Sequence, residues 1–128
     1  MNKPRILLVD DEVVFANNLF KLLSKRGYDA AVVYSGADAA DIVEEKEFDV
    51  IVLDMKMPGM DGIATLKEIK KKMPSVEVVI LTGHGSVESG IEGMQLGAFD
   101  FLMKPVSIDD LQEKVSEAYR RKLIQGKR

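Results

Sequence analysis

The stretch Val50-Ile51-Val52-Leu53-Asp54-Met55-Lys56-Met57-Pro58-Gly59-Met60-Asp61-Gly62 decides how the rest of the chain is read. Four consecutive apolar residues, three of them β-branched, end on a carboxylate and run into a segment containing Pro and Gly. A strand wetted on one face alternates apolar and polar residues, whereas one covered on both faces is apolar throughout, the mark of a parallel sheet sandwiched between helices. Similar short runs recur at Arg5 to Val9, Ala30 to Tyr34, Val76 to Leu81 and Phe99 to Met103. Between or after them lie residues at helical spacing: Phe15, Leu19 and Leu22; Ala39, Ala40 and Val43; Ile63, Leu66 and Ile69; Val87, Ile91 and Met94; Ile108, Leu111, Val115 and Ala118. Ser35, Ser86 and Ser107 stand where helix N-caps belong, Gly27 and Gly97 follow helices, and Pro74 blocks continuation of the third. Strand and helix thus alternate five times, which predicts an α/β fold: a doubly wound parallel sheet with right-handed crossovers and helices on both faces.

The bulk numbers suit that reading. The chain has 128 residues, 46% hydrophobic and 30% charged, enough for one domain with a real core. No linker or low-complexity segment interrupts it, so residues 1–128 are expected to form one domain, with the last few residues leading toward an output domain. With no Cys and one His, thiolate sites and zinc clusters are excluded, and any metal must be held by oxygen. A net charge of −3 gives no overall field for nucleic acid. No apolar run reaches the roughly 18 residues of a membrane span, and a cytoplasmic location is expected.

In an open parallel sheet, ligands bind beyond the carboxyl ends of the strands. Those ends carry Asp10 and Asp11, Asp54, Thr82 and Lys104, while the second strand offers only Tyr34 and Ser35. Carboxylates, a hydroxyl and an ammonium directed at one edge suit a hard divalent cation plus a phosphoryl group. Two carboxylates about 5 Å apart repel by roughly 3 kcal/mol at an effective dielectric near 20, so the bare site calls for a cation. Taken singly, Asp10 and Asp11 could be helix-capping carboxylates. Asp54 could be a turn residue, Thr82 a cap and Lys104 a solvated strand end. Four such coincidences at matching strand ends are the poorer explanation.

The arrangement resembles the receiver domain of two-component response regulators along essentially the whole chain. It has Asp10-Asp11 after the first strand, Asp54 with Met57-Pro58-Gly59-Met60-Asp61-Gly62 after the third, Thr82-Gly83 after the fourth and Lys104-Pro105 after the fifth. The resemblance implies a five-stranded flavodoxin-like fold with strand order 2-1-3-4-5. It implies a phosphoacceptor at Asp54, with Mg2+ or Mn2+ held by Asp10, Asp11, Asp54 and the Lys56 carbonyl, Asp10 acting mainly through water. Thr82 and Lys104 would bind phosphoryl oxygens, Phe101 would be the switch aromatic, Lys104-Pro105 would be cis, and Lys56 and His84 would adjust the phosphoryl lifetime. The partners implied are a sensor histidine kinase, an output domain or partner protein, and a second copy in the phosphorylated state. The run Asp100 to Pro105 with Thr82-Gly83-His84-Gly85 looks most like receivers of nitrogen-regulation-type transcription activators.

Other classes fit less well. Haloacid-dehalogenase-like phosphatases place a second Asp two residues after the nucleophile, where this chain has Lys56, and usually carry a cap domain. A dinucleotide- or flavin-binding domain needs a glycine-rich loop after the first strand, where Asp10-Asp11-Glu12 would repel phosphate. A receiver-like module working without phosphorylation would not require the full acceptor set. Signalling rather than turnover of an external substrate is therefore the expectation. Gly90 and Gly93 each cost the fourth helix roughly 1 kcal/mol relative to Ala, which predicts that this helix shifts on switching and that its face with the fifth strand and last helix carries the output.

Overall fold

The computed structural model describes residues 3–56, 61–83 and 87–126. Five strands alternate with five helices: β1 (Arg5–Val9), α1 (Val13–Lys25), β2 (Asp29–Val33), α2 (Gly36–Glu45), β3 (Val50–Asp54), α3 (Gly62–Lys72), β4 (Glu77–Thr82), α4 (Val87–Gln95), β5 (Asp100–Met103) and α5 (Ile108–Gly126). All pairings are parallel, as the apolar runs predict, and the order is β2-β1-β3-β4-β5, as the resemblance implies.

Because successive strand side chains point to opposite faces, the sheet divides the core in two. One face buries Leu7, Ile51, Leu53, Val78 and Ile80 against Ala39, Val43, Leu66 and Ile69 of α2 and α3. The other buries Ile6, Leu8, Val52, Val79 and Leu81 against Leu19 and Leu23 of α1 and Leu111, Val115 and Ala118 of α5. Burial on both faces is why these strands lack polar alternation.

Strand limits differ from the expectation by about a residue. Register against β1 places β2 at Asp29 to Val33, so Tyr34 falls outside it. Ladder hydrogen bonds carry β3 and β4 one residue further than their apolar runs: Met55 N–H donates to Leu81 O at 3.3 Å and Lys104 N–H to Thr82 O at 2.7 Å. Asp54 and Thr82 are therefore the last residues of their strands, held by the sheet itself.

Two of the expected caps are in place: Ser35 Oγ accepts from Asp38 N–H and Ser107 Oγ from Asp110 N–H, each at 3.1 Å. Ser86 lies outside the described residues. Asp61, not foreseen as a cap, accepts from Ala64 N–H at 2.8 Å and starts α3. Gly27 and Gly97 adopt φ of +90° and +102°, the left-handed turn that ends α1 and α4.

The two glycines of α4 have a packing reason beyond helix weakness. A Cβ on Gly93 would lie 2.1 Å from Ile80 Cδ1, and one on Gly90 would lie 3.0 Å from the Phe101 ring. Their bare surface lets α4 settle directly on β4 and β5. Helix α5, by contrast, is tied down by charge at the amino end of the sheet. Arg121 grips the buried Glu77 with two hydrogen bonds, at 2.5 and 2.6 Å, and stacks over Phe99. Lys122 reaches Asp49 at 2.6 Å, and Asp49 also accepts from Arg5 N–H at 2.8 Å.

Candidate functional site

Four of the expected side chains converge at the carboxyl edge of the sheet. Asp10, just after β1, and Asp54, closing β3, are each 4% exposed, and Thr82, closing β4, is fully buried. Lys104, just after β5, extends across them: its Nζ is 2.9 Å from Asp10 Oδ2 and 3.8 Å from Asp54 Oδ2. The peptide joining Lys104 to Pro105 is cis.

Local hydrogen bonds aim both acids. Asp10 Oδ1 accepts from Glu12 N–H at 2.9 Å and Asp54 Oδ1 from Lys56 N–H at 3.2 Å. Asp54 thus does serve its own turn, but one oxygen suffices and Oδ2 remains directed toward Lys104. The alternative role for Asp10 and Asp11 fails differently, since the N-cap position of α1 belongs to Glu12, whose side chain makes no cap bond.

The sequence reading passed over Glu12. Its Oε1 lies 2.5 Å from Lys104 Nζ, closer than either aspartate, and the Phe15 ring lies 4.5 Å from the same ammonium. Ligand oxygens of Asp10, Glu12 and Asp54 all fall within 4.8 Å of one another. Asp11, half-buried, stands outside that group, although its charge still acts on Asp54. The signal was present as three consecutive acids, Asp10-Asp11-Glu12, but which of them turns inward depends on how α1 leaves the sheet.

The electrostatics follow from burial. Loss of water pushes the Asp54 carboxyl up to about 7, and the neighbouring Asp10 charge adds to this; the Lys56 N–H and Lys104 pull it down, and Asp11 raises it further. Burial alone would lower Lys104, yet its hydrogen bond to Glu12 and the close charge of Asp10 more than offset this, and its charge is held firmly. Three carboxylates, Asp10, Glu12 and Asp54, thus share one ammonium.

Asp10 Oδ2, whose contact with Lys104 is not aligned as a hydrogen bond, and Thr82 Oγ1 are both buried without a hydrogen-bond partner among the described residues. Orphaned oxygens in a strongly negative site are what a hard divalent cation and a phosphoryl oxygen would satisfy. The donor set therefore fits such an ion.

The remaining expected residues are dispersed. Phe101 is half-buried, with its ring against the bare surface of Gly90, so this aromatic touches α4. The Lys56 side chain is exposed. His84 lies outside the described residues.

A family model for the response regulator receiver domain matches residues 6–116. The transcriptional regulatory protein ZraR of Salmonella typhimurium is 47% identical over 116 residues, covering 91% of this chain and 26% of that protein. ZraR of Escherichia coli K12 is 43% identical over 113 residues, again 26% of its length. A response regulator receiver domain protein from Clostridium thermocellum superposes with a TM-score of 0.90 at 38% identity, covering 94% of this chain and 98% of that one. NtrX from Brucella abortus superposes with a TM-score of 0.92 at 30% identity, covering 98% of this chain and 29% of its own. The chain therefore spans about a quarter of the length of the curated relatives it matches. Among the described residues no helix is long and apolar enough to cross a membrane.

Proposed function

The chain belongs to the response-regulator receiver family, and on that premise we propose that it takes a phosphoryl group from a sensor histidine kinase onto Asp54. The observation that carries this reading is the pairing of a strand-held, buried carboxylate with a second buried carboxylate, an unpartnered hydroxyl and a lysine at one sheet edge. In the transfer, an Asp54 oxygen attacks phosphorus in line as the bond from phosphorus to the donor histidine nitrogen breaks, leaving an acyl phosphate and a neutral imidazole once that nitrogen is protonated from solvent. The Thr82 hydroxyl donates to one phosphoryl oxygen and the Lys104 ammonium to another.

Asp10, Asp11, Asp54 and the Lys56 carbonyl would hold Mg2+ or Mn2+, with Glu12 near enough to join them. Such an ion offsets charge on the transferring oxygens and favours the ionised nucleophile. Asp54 calls for that help, because burial and the neighbouring Asp10 charge push its carboxyl up to about 7. Lys56 and His84 are the residues proposed to shield the acyl phosphate from water.

For output, recruitment of the Thr82 hydroxyl by phosphate would draw the segment after β4 inward and alter the space that Phe101 shares with Gly90. The surface of α4, β5 and α5 is then the face that changes, and a second copy or an output domain is its proposed partner. The relatives' greater length agrees with an output domain following the receiver. The test uses acetyl phosphate with Mg2+: one phosphoryl group should be incorporated, at Asp54, with Asp54→Asn and a chelator each abolishing it. Label on another residue, or label undiminished by chelator, sinks the assignment.

A further inference from the structure

Three carboxylates have a claim on Lys104, those of Glu12, Asp10 at 2.9 Å and Asp54, and the nearest is not the phosphoacceptor. The Lys104 Nζ is 2.5 Å from Glu12 Oε1 but 3.8 Å from Asp54 Oδ2, beyond hydrogen-bond range. Both the carboxylate and the ring that cradle this ammonium come from the entry to α1. Glu12 sits at its N-cap and Phe15 three residues on, a spacing that places both on one side of a helix. The Glu12 backbone is fixed by the bond from its N–H to Asp10 Oδ1 at 2.9 Å, while its carboxylate caps nothing and is free for the lysine.

We propose that Glu12 is a positioning residue that holds the Lys104 ammonium away from Asp54 until a phosphoryl group arrives. The inference rests on the phosphoacceptor reading above and concerns how that site is kept at rest. For Lys104 to reach a phosphoryl oxygen on Asp54, it must give up Glu12 and slide toward the sheet centre. The latch is releasable by construction. The Glu12 side chain is 62% exposed, so water takes its place readily, whereas Lys104 is 13% exposed and stays sheltered in either position. A pair exposed on one side is weak, and its removal should alter rates by only about two- to fivefold.

The experiment compares the wild-type protein with Glu12→Gln and Glu12→Asp. Gln keeps the length and loses the charge. Asp keeps the charge but is one methylene too short to close the 2.5 Å contact from a pinned backbone. At saturating Mg2+, acetyl phosphate should label Asp54 about two- to fivefold faster in both variants. The Lys104 ammonium resonance of the phosphate-free protein should already lie near the position that the wild type reaches only with beryllofluoride and Mg2+. Three results overturn the proposal: a Gln variant no faster at saturating Mg2+, an Asp variant indistinguishable from wild type, or a Lys104 resonance that neither substitution moves. A Mg2+ affinity weakened more than about tenfold in Glu12→Gln, with no gain in rate, would make Glu12 a cation ligand instead. Absence of label in the wild type would overturn the phosphoacceptor reading itself. A labelled wild type with unmoved variants overturns Glu12's role alone.

Discussion

The two ends of one sheet treat acidic residues in opposite ways. At the amino end, Glu77 opens β4 and Asp49 precedes β3, and each meets cations and donors: Arg121 twice for the first, Lys122 and the Arg5 N–H for the second. Burial would push Asp49 up, yet these partners outweigh it and hold the carboxyl below its ordinary range. At the carboxyl end, Asp10, Glu12 and Asp54 crowd around a single lysine, and Asp54 is driven the other way. One strand, β3, serves both ends: Asp49 precedes it and Asp54 closes it. The difference is that the cations of α5 match the acids at one end while a lone lysine is outnumbered at the other, so charge is used for cohesion at one end and for reactivity at the other.

The largest test of that contrast removes a partner at the paired end. Arg121→Ala would strand a carboxylate that is 2% exposed, and should cost about 2 to 4 kcal/mol of stability in urea unfolding. The phosphorylation rate of the folded protein should barely change. A loss below about 0.5 kcal/mol would mean that water already reaches Glu77 and that the amino end is not the anchor.

The opposite sign is expected at the carboxyl end. With chelator present, Asp54→Asn should stabilise the protein by on the order of 2 kcal/mol at pH 8. The direction follows from Asp54 being pushed up to about 7 when folded against 3.8 ordinarily. Between those values the folded state holds a proton that the unfolded chain releases, so wild-type stability falls as pH rises, and the full penalty is present above 7. The advantage of Asn should therefore shrink as pH falls from 7 and vanish near 4. An advantage that is constant with pH would show that shape, not charge, is responsible.

The smallest effect belongs to a pair at neither end. Lys114, on the outer flank of α5, bonds Asp100 at 2.7 Å, with both side chains partly in water. Lys114→Ala should cost under about 1 kcal/mol by the same unfolding measurement. A larger loss would show that flank pairs, too, hold α5 in place.

Much of this was readable in the chain. Unbroken apolar runs such as Val50 to Leu53 report burial on two faces, and strand ends carrying Asp54, Thr82 and Lys104 name an edge, because both are local consequences of a parallel sheet. What escaped is set by distant partners. Nothing near Glu77 in sequence points to Arg121, 44 residues on, and Asp49 finds Lys122 across 73. The limits of β2 follow its register with β1, and the inward turn of Glu12 follows the path of α1. Gly90 and Gly93 show the same gap: propensity describes them as weak points, whereas Phe101 and Ile80 show what their missing side chains admit.

Gly62 extends that last point to the acceptor. A Cβ there would sit 2.4 Å from Met55 Cα, and the Gly62 N–H donates to Met55 O at 3.3 Å. The obstacle is backbone, which cannot swing aside as the tip of Ile80 can. The chain leaving Asp54 and the chain entering α3 are therefore fastened to each other directly, Gly62 against Met55. The nucleophile's own address on the sheet is thereby fixed from two directions, by the β3–β4 ladder and by the foot of α3.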